Sequence, residues 1–323
     1  MDRRRNSYAR HATASADAIV TCGAKITLTA FTDSFVAAGQ MAVVSFLDQR
    51  CGINMRALIL TFFLVLSTSW VSACGAESRC EVPDGYYLAA EPDDWDGTTA
   101  LRLVVYFHGW GGSPEGAFRN RGMVRGATSR GALFVAPFAQ TGYWRQIGAG
   151  RAERGRDEAT YIRAVMKDIR RRWPIDDQQT LASGFSRGAS MVWNVACYAG
   201  DLFRGYAPIA GGFWRSTPDN CPTGAVNLRH IHGLSDGVVS FDEIGVYDSM
   251  PISEGIAVLA RVNGTSGQSR KVPSGDQRLT CTRREQSISG RVLELCLHER
   301  GHSIPAEWVG HGLDWLDTLP DGS

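Results

Sequence analysis

The sequence lacks an excess of charge of either sign. Its 323 residues carry 34 Lys and Arg against 33 Asp and Glu, for a formal net charge of +1. No basic stripe with interleaved aromatic residues is present, so we do not expect nucleic acid as a partner. Internal repeats, low-complexity tracts and interdomain linkers are also missing. Nothing in the sequence points to an obligatory protein partner.

Metal-binding patterns of cysteine are missing as well. None of the eight cysteines lies in a C-x-x-C pair or in a Cys/His cluster with zinc spacing, so we expect no metal site. An even number of them lies after residue 73, which is typical of disulfides formed in an oxidising compartment. The sequence leaves the pairing open, but proximity along the chain favours Cys74 with Cys80, Cys197 with Cys221, and Cys281 with Cys296.

A hydrophobic run long enough for a transmembrane helix is absent, but a shorter run follows Met55. It has one arginine, an apolar core from Ala57 to Leu66, and the small residues Val71 and Ala73 at the cleavage positions of a secretory signal peptide. The core falls short of the about 20 apolar residues that span a bilayer. We therefore predict export.

The position of this signal defines three segments. Residues 55–73 are predicted to be the signal peptide, and residues 74–323 the secreted domain. Residues 1–54 precede a signal that belongs at the true N-terminus, so we interpret them as non-native, the result of a start codon assigned too far upstream, and expect them to be disordered. The sequence before Cys74 also resembles a bacterial lipoprotein cleavage box. Lipid attachment there is the alternative, but it would leave one cysteine unpaired.

From about residue 85 onward, short apolar runs alternate with helical stretches. Apolar residues spaced three and four apart, with Asp157 as N-cap and Pro174 beyond the end, predict a helix over 157–173. Strands alternating with helices predict an α/β fold whose mostly parallel sheet has helices on both faces. The predicted strands are 101–107, 131–138, 180–185, 206–210, 228–232 and 292–298; further helices follow Ser186, to about residue 198, and cover 306–319.

Two pentapeptides fit the G-x-S-x-G pattern of a nucleophile elbow, in which a serine stands at a sharp turn between a strand and a helix. Ser186 follows the strand TLASGF and precedes ASMVWNVACY, a good helix that starts with small residues. Ser235 also follows a strand, but the segment after it, VVSFDEIG, is β-branched and ends in glycine. This context favours Ser186 as a nucleophile and Ser235 as a chance match.

A serine nucleophile needs a base to take its proton and a third group to orient that base. In the strand–elbow–helix context, the expected chain order is Ser, then Asp or Glu, then His. Asp236 and His302 each follow a predicted strand, where catalytic loops sit in open α/β sheets. We therefore predict Ser186 as nucleophile, His302 as general base and Asp236 as orienting acid.

Other residues compete for two of these roles. His298, within a strand, and His311, on a helix, are the alternative bases. Asp242 and Glu243 are the alternative acids, but they lie deeper in the segment after the strand. His230 and His232 lie two residues apart on one predicted strand, a spacing that could indicate a metal site. No carboxylate or cysteine lies nearby in ligand spacing, so we interpret the pair as structural.

An oxyanion hole needs two backbone N–H groups aimed at the developing charge. The N–H of Arg187, directly after the nucleophile, is the first candidate. The second is expected in the loop after an early strand, where HGWGG is similar to the HGGG type. We choose the N–H of Trp110, with Gly109 and Gly111 as alternatives.

The segments VVYFHGWGG, GFSRGASM, HIHGLSDGVV and RGHSIP together resemble the secreted polyhydroxybutyrate depolymerase and feruloyl esterase family, carbohydrate esterase type 1. The resemblance covers about residues 80–320. It implies an α/β-hydrolase fold, no cofactor, an acyl-enzyme mechanism, secretion, and an ester substrate derived from a polymer. Arg187 departs from the family, which more often has Gln, Met or Ala there. We find no added polymer-binding domain, which argues against action on solid polymer.

The substrate pocket is the least constrained part of the prediction. Aromatic side chains suit a phenolic acid, yet they are as often core residues. Two further functions remain open: a non-catalytic secreted or lipid-anchored binding protein of the same fold, whose mark would be a missing triad member, and a serine peptidase. The candidate pocket residues, besides Trp110, are Tyr143, Trp144, Phe213, Trp214 and Trp308.

Overall fold

The computed structural model describes residues 15–19, 25–29, 43–45, 74–147, 155–265, 268–285 and 290–320. The chain divides into two compact units, Met1–Val71 and Ser72–Ser323. The predicted signal peptide, 55–73, lies outside the described residues. Within the described ranges, every helix is too short or too polar to cross a membrane.

The first unit contains a small antiparallel sheet. Its strands are β1 (Ser15–Ile19), β2 (Lys25–Thr29) and β3 (Val43–Ser45), with β2 in the centre. In β2, apolar Ile26 and Leu28 alternate with threonines, the period of two that a strand requires. Of residues 1–54, only these three strands are described, and the interpretation of the segment as non-native stays a prediction.

A ten-stranded sheet forms the centre of the second unit, in the order β11-β12-β13-β10-β9-β8-β6-β7-β5-β4. The six strands from β13 to β7 in this order run parallel, and the strands at both edges pair antiparallel. The predicted mostly parallel sheet is confirmed. The strands are β4 (Cys80–Val82), β5 (Gly85–Ala90), β6 (Leu101–Phe107), β7 (Ala132–Pro137), β8 (Ile175–Phe185), β9 (Gly205–Ile209), β10 (Leu228–Gly233), β11 (Arg270–Val272), β12 (Thr280–Glu285) and β13 (Val292–His298).

Helices cover both faces of this sheet, because side chains alternate between the faces along each strand. The described helices are α1 (Pro114–Arg119), α2 (Arg121–Thr128), α3 (Glu158–Arg172), α4 (Arg187–Tyr198), α5 (Ile252–Val262) and α6 (Glu307–Leu316). On β6, Leu103 and Val105 pack in one hydrophobic cluster with residues of α3 and α4. Val104 and Tyr106 pack in a second cluster with residues of α1, α2 and α6.

Several element boundaries follow the sequence closely. Strands β6 and β13 have the bounds expected from their apolar runs. Helix α3 begins after Asp157, whose carboxylate accepts hydrogen bonds from the N–H groups of Ala159 and Thr160. The antiparallel edge strands and helices α1, α2 and α5 were not predicted.

Three disulfides tie the second unit together: Cys74–Cys80, Cys197–Cys221 and Cys281–Cys296. These are the pairs that proximity along the chain favours. Cys281 and Cys296 lie directly opposite each other on β12 and β13. Closing a loop of this length contributes about 3 kcal/mol by restricting the unfolded chain.

The turn between β8 and α4 brings backbone close to backbone. A Cβ added to Gly188 would lie 1.9 Å from the carbonyl oxygen of Phe107, at the end of β6. A Cβ added to Gly184 would lie 2.7 Å from the same oxygen. Only glycine allows this approach, because the neighbouring atoms belong to the backbone and cannot rotate away.

We expect Gly188→Ala to lower the free energy of unfolding by about 3 kcal/mol, since the added methyl must push β6 and α4 apart. Chemical denaturation would measure the change. The matched control is Gly126→Ala in helix α2, where an added Cβ has no atom within 4 Å. The control is expected to be neutral or stabilising by about 0.5–1 kcal/mol. Equal stability of the two variants would contradict the packing described here.

Candidate active site

Ser186 lies between β8 and α4 in a strained conformation. Its backbone has φ 55° and ψ −123°, a region that a residue with a side chain seldom occupies. The turn is fixed on both sides: the Ser186 N–H donates to the Ile209 carbonyl at 3.0 Å, and the Ser186 carbonyl accepts from the Ser190 N–H at 3.0 Å. The flanking residues are largely buried, whereas Ser186 is partly accessible. The turn thus presents the hydroxyl at the carboxyl edge of the sheet.

The structure brings the three predicted side chains into one hydrogen-bonded chain. Ser186 Oγ lies 2.9 Å from His302 Nε2, and His302 Nδ1 lies 2.8 Å from Asp236 Oδ2. With Nδ1–H donating to the carboxylate, Nε2 is left to accept the proton of the hydroxyl. This is the arrangement that general-base activation of a serine requires.

The carboxylate of Asp236 is held in its ionised form. Burial raises the pKa of Asp236, but hydrogen bonds from His302, Val239 and Val238 outweigh burial and hold that pKa below its ordinary value. The N–H groups of Val238 and Val239 both donate to Oδ1 at 2.9 Å. Oδ2 is therefore left for His302, and the side chain is completely shielded from solvent. A charged, fixed carboxylate both orients the imidazole and stabilises its protonated form.

The competing histidines lie elsewhere. His298 is buried on β13, where Nδ1 accepts from the N–H of Arg300 and the ring packs against Trp308. His311 lies on α6.

The remaining competitors also lie outside the hydrogen-bonded chain. Asp242 and Glu243 are exposed in the loop after β10. Ser235 is exposed, and its hydroxyl donates to the Glu299 carbonyl.

His230 and His232 lie on β10, just before the turn that carries Asp236. The two rings are in contact, with His230 Nε2 3.3 Å from His232 Nδ1. Burial lowers the pKa of both, that of His232 to about 4, so the rings are neutral at pH 7. His232 Nε2 lies 3.0 Å from the Val239 carbonyl, which fixes the turn whose N–H groups hold Asp236. The interpretation of this pair as structural fits these contacts.

Metal-ligand residue types cluster at one place within the described part of the chain, at Cys281, Glu294 and Cys296. Both sulfurs there form a disulfide, so they cannot act as thiolate ligands. The carboxylate of Glu294 is engaged by Arg229 and Arg283. This cluster therefore does not have the chemistry of a metal site.

The glycine-rich loop after β6 lies beside Ser186. A Cβ added to Gly109 would be 3.7 Å from the Cβ of Ser186. Within the loop, the Gly111 N–H donates to the Gly142 carbonyl and the Gly112 N–H to the Gly109 carbonyl. Gly111 is thereby ruled out as an oxyanion donor, and the N–H groups of Trp110 and Gly109 stay as candidates. The Arg187 N–H begins α4, where the helix dipole favours negative charge.

Three of the predicted pocket residues are core residues, and for them the prediction was wrong. Trp144, Phe213 and Trp308 are each about 1% exposed. Trp144 donates from Nε1 to the His108 carbonyl, and Phe213 packs against Trp193. Burial of a large aromatic side chain stabilises the fold most when it is complete, which explains why these three residues lie in the core.

The other two predicted residues differ from each other. Trp214 is also buried, with the guanidinium of Arg187 4.2 Å from its ring. Arg187 Nε donates to the Trp144 carbonyl, so the cation points into the protein rather than toward a substrate. Tyr143 is partly exposed and stacks on Trp110. A further ring beside Trp110, Tyr247, was not predicted, because no motif marks it.

The fold and the site define the class of protein: an α/β hydrolase with a serine, histidine and aspartate at the carboxyl ends of its strands. No model of a known protein family matches the chain. It is 27% identical over 163 residues to a probable feruloyl esterase C of Aspergillus niger, covering 48% of this chain and 56% of that protein. It is 24% identical over 206 residues to a probable feruloyl esterase C of Aspergillus oryzae, covering 58% of this chain and 72% of that protein.

The fold is also similar to that of a solved acetyl xylan esterase from Aspergillus awamori. The TM-score is 0.51 at 15% identity, over 71% of this chain and 94% of that one. The α/β-hydrolase fold expected from the motifs is confirmed. In sequence, the chain is similar to feruloyl esterases, as its motifs predicted. It spans a little over half the length of the Aspergillus niger relative.

We expect Asp236→Asn to lower kcat about 10⁴-fold, because the amide favours the wrong tautomer of His302 and cannot stabilise its charge. The rate is measured with any ester that the unsubstituted protein hydrolyses. The matched control is Glu299→Gln, an exposed carboxylate between β13 and His302, which is expected to leave kcat unchanged. A small loss in the Asp236 variant, or an equal loss in both, would contradict the role given to Asp236.

Proposed function

We propose that the protein hydrolyses carboxylic esters through an acyl-enzyme on Ser186. The observation that carries the proposal is the unbroken hydrogen-bonded chain from Asp236 through His302 to Ser186, at 2.8 and 2.9 Å. All three members are present, which argues against a purely binding role. The relationship to feruloyl esterases favours ester over peptide bonds as the target.

The proposed reaction has two halves. His302 Nε2 takes the proton of Ser186 while Oγ attacks the ester carbonyl carbon, and the N–H groups of Arg187 and Trp110 stabilise the oxyanion. His302 then gives the proton to the departing alcohol, which leaves the acyl group on Ser186. In the second half, His302 deprotonates a water molecule that attacks the acyl-enzyme. The acid is released and the serine hydroxyl is restored.

We propose feruloyl-type esters of polysaccharides as the substrate class. The named relatives support this choice over hydroxyalkanoate oligomers, the other substrates that the motifs imply.

An organophosphate probe tests the mechanism. We expect folded protein to gain one covalent adduct, located by peptide mass spectrometry on Ser186, and hydrolysis of methyl ferulate to stop in proportion. Ser235→Ala, which removes the exposed serine of the second G-x-S-x-G sequence, is expected to label like the unsubstituted protein. Absence of an adduct on Ser186 would refute the acyl-enzyme. Faster hydrolysis of 3-hydroxybutyrate oligomers than of methyl ferulate would refute the substrate class instead.

We also propose that the protein is exported without a lipid anchor. The three disulfides support an oxidising compartment. The sulfur of Cys74 is bonded to Cys80, and one sulfur cannot carry both a disulfide and a lipid thioether.

Mass spectrometry of the mature N-terminus tests this route. We expect a chain that begins at Cys74, carries no added lipid mass, and gains the mass of two hydrogen atoms when a reductant cleaves the Cys74–Cys80 bond. A diacylglyceryl mass on Cys74, or a mature chain that retains residues before Met55, would contradict the proposal.

A further inference from the structure

Three aromatic side chains meet on the surface beside the candidate oxyanion loop. The ring of Trp110 lies 5.2 Å from that of Tyr143 and 6.0 Å from that of Tyr247, measured between centroids, with interplanar angles of 13° and 19°. Trp110 follows β6, Tyr143 follows β7 and Tyr247 follows β10, so three separate loops each contribute one ring. We name Trp110, Tyr143 and Tyr247 the aromatic cluster.

The aromatic cluster exposes much of its apolar surface. Trp110 is 64% and Tyr247 71% exposed. Within the described ranges, the other large hydrophobic residues with high exposure all lie on the same loop as Tyr247: Leu234, Val238, Ile244 and Val246. The three stacked rings, two of them largely exposed, form an apolar surface that is typical of a binding site, whereas the four aliphatic residues are exposed singly.

The loop that carries Tyr247 contains a strained stretch of backbone. Tyr247 has φ 58° and Asp248 has φ 62°, both in the left-handed region. Residues other than glycine seldom occupy this region, and they persist there only where neighbouring contacts enforce the conformation. Here the Val246 N–H donates to the Val238 carbonyl at 2.8 Å, and the Arg215 N–H donates to the Asp248 carbonyl at 2.8 Å. The strained turn holds the Tyr247 ring against Trp110 rather than in the core.

The aromatic cluster lies at the same carboxyl edge of the sheet as Ser186, because its three rings follow β6, β7 and β10, which are all parallel to β8 and β9. Two of its loops also carry parts of the candidate site: the Trp110 N–H, a candidate oxyanion donor, and Asp236, which lies on the same loop as Tyr247. A subsite at the cluster would therefore receive a group attached to the ester.

The loop also carries exposed carboxylates, on Asp242, Glu243 and Asp248. They repel an anionic ligand and can accept hydrogen bonds from hydroxyl groups. A sugar ring combines apolar C–H faces, which stack on aromatic rings, with hydroxyls at its rim that donate to carboxylates and stay hydrated. A phenyl ring has no hydroxyls at its rim to keep hydrated, so it binds most strongly in a fully enclosed pocket. The open surface of the aromatic cluster does not provide one.

We propose that the aromatic cluster is a subsite for a neutral sugar ring on the alcohol side of the ester. The inference rests on the proposed ester hydrolysis for its orientation, but sugar binding itself does not require catalysis. The subsite would make the protein prefer esters attached to a carbohydrate chain over the same acid on a simple alcohol.

The first experiment measures binding without turnover. Ser186→Ala protein is titrated by calorimetry with an unesterified xylo-oligosaccharide, with and without the second substitution Tyr247→Ala. Binding is expected in the single variant, with about fivefold weaker affinity once the ring is removed. The matched control is Ile244→Ala, 67% exposed on the same loop but outside the cluster, which is expected to keep full affinity. No binding at millimolar sugar, or equal affinity of the Tyr247 and Ile244 variants, would overturn the subsite.

The second experiment compares substrates. In otherwise unsubstituted protein, Tyr247→Ala is expected to lower kcat/KM for a feruloylated xylo-oligosaccharide about fivefold more than for methyl ferulate. An equal loss on both esters would assign the ring to the acyl group and overturn the sugar proposal. Sugar binding in a protein that hydrolyses neither ester would refute the proposed function while leaving the subsite in place.

Discussion

The contact between the end of β6 and the start of α4 is the constraint on which the site depends. Two glycines, Gly184 and Gly188, let the Phe107 carbonyl approach so closely that any side chain would collide with it. This approach forces the chain through the strained turn at Ser186. The same contact places the loop after β6, with its candidate oxyanion donors, beside Ser186. One close packing of backbone on backbone thus positions both the proposed nucleophile and the groups proposed to stabilise the oxyanion.

Much of this geometry could be predicted because it depends on local patterns. The strand before Ser186 and the small residues after it distinguish its turn from the similar sequence around Ser235. Asp236 and His302 could be placed because parallel strands end at a common edge of the sheet, so loops distant in sequence meet there. The roles of the three residues remain predictions that the observed distances favour.

The parts that could not be predicted have no such local signal. The edge strands β11 and β12 are short and polar on their exposed side, so their sequences resemble loops. Burial is a property of the whole fold, which is why Trp144, Phe213 and Trp308 were assigned to a pocket although they fill the core. Tyr247 was missed because its exposed position depends on a turn that is held by hydrogen bonds from residues distant in the sequence.

The disulfide between Cys281 and Cys296 has a consequence for handling the protein. It joins two neighbouring strands, and the second of them, β13, leads directly into the loop that carries His302. The loop that carries His302 is therefore anchored by a bond that forms only where thiols are oxidised. In a recombinant host that folds the chain in a reducing cytosol, noncovalent contacts alone hold this loop in place.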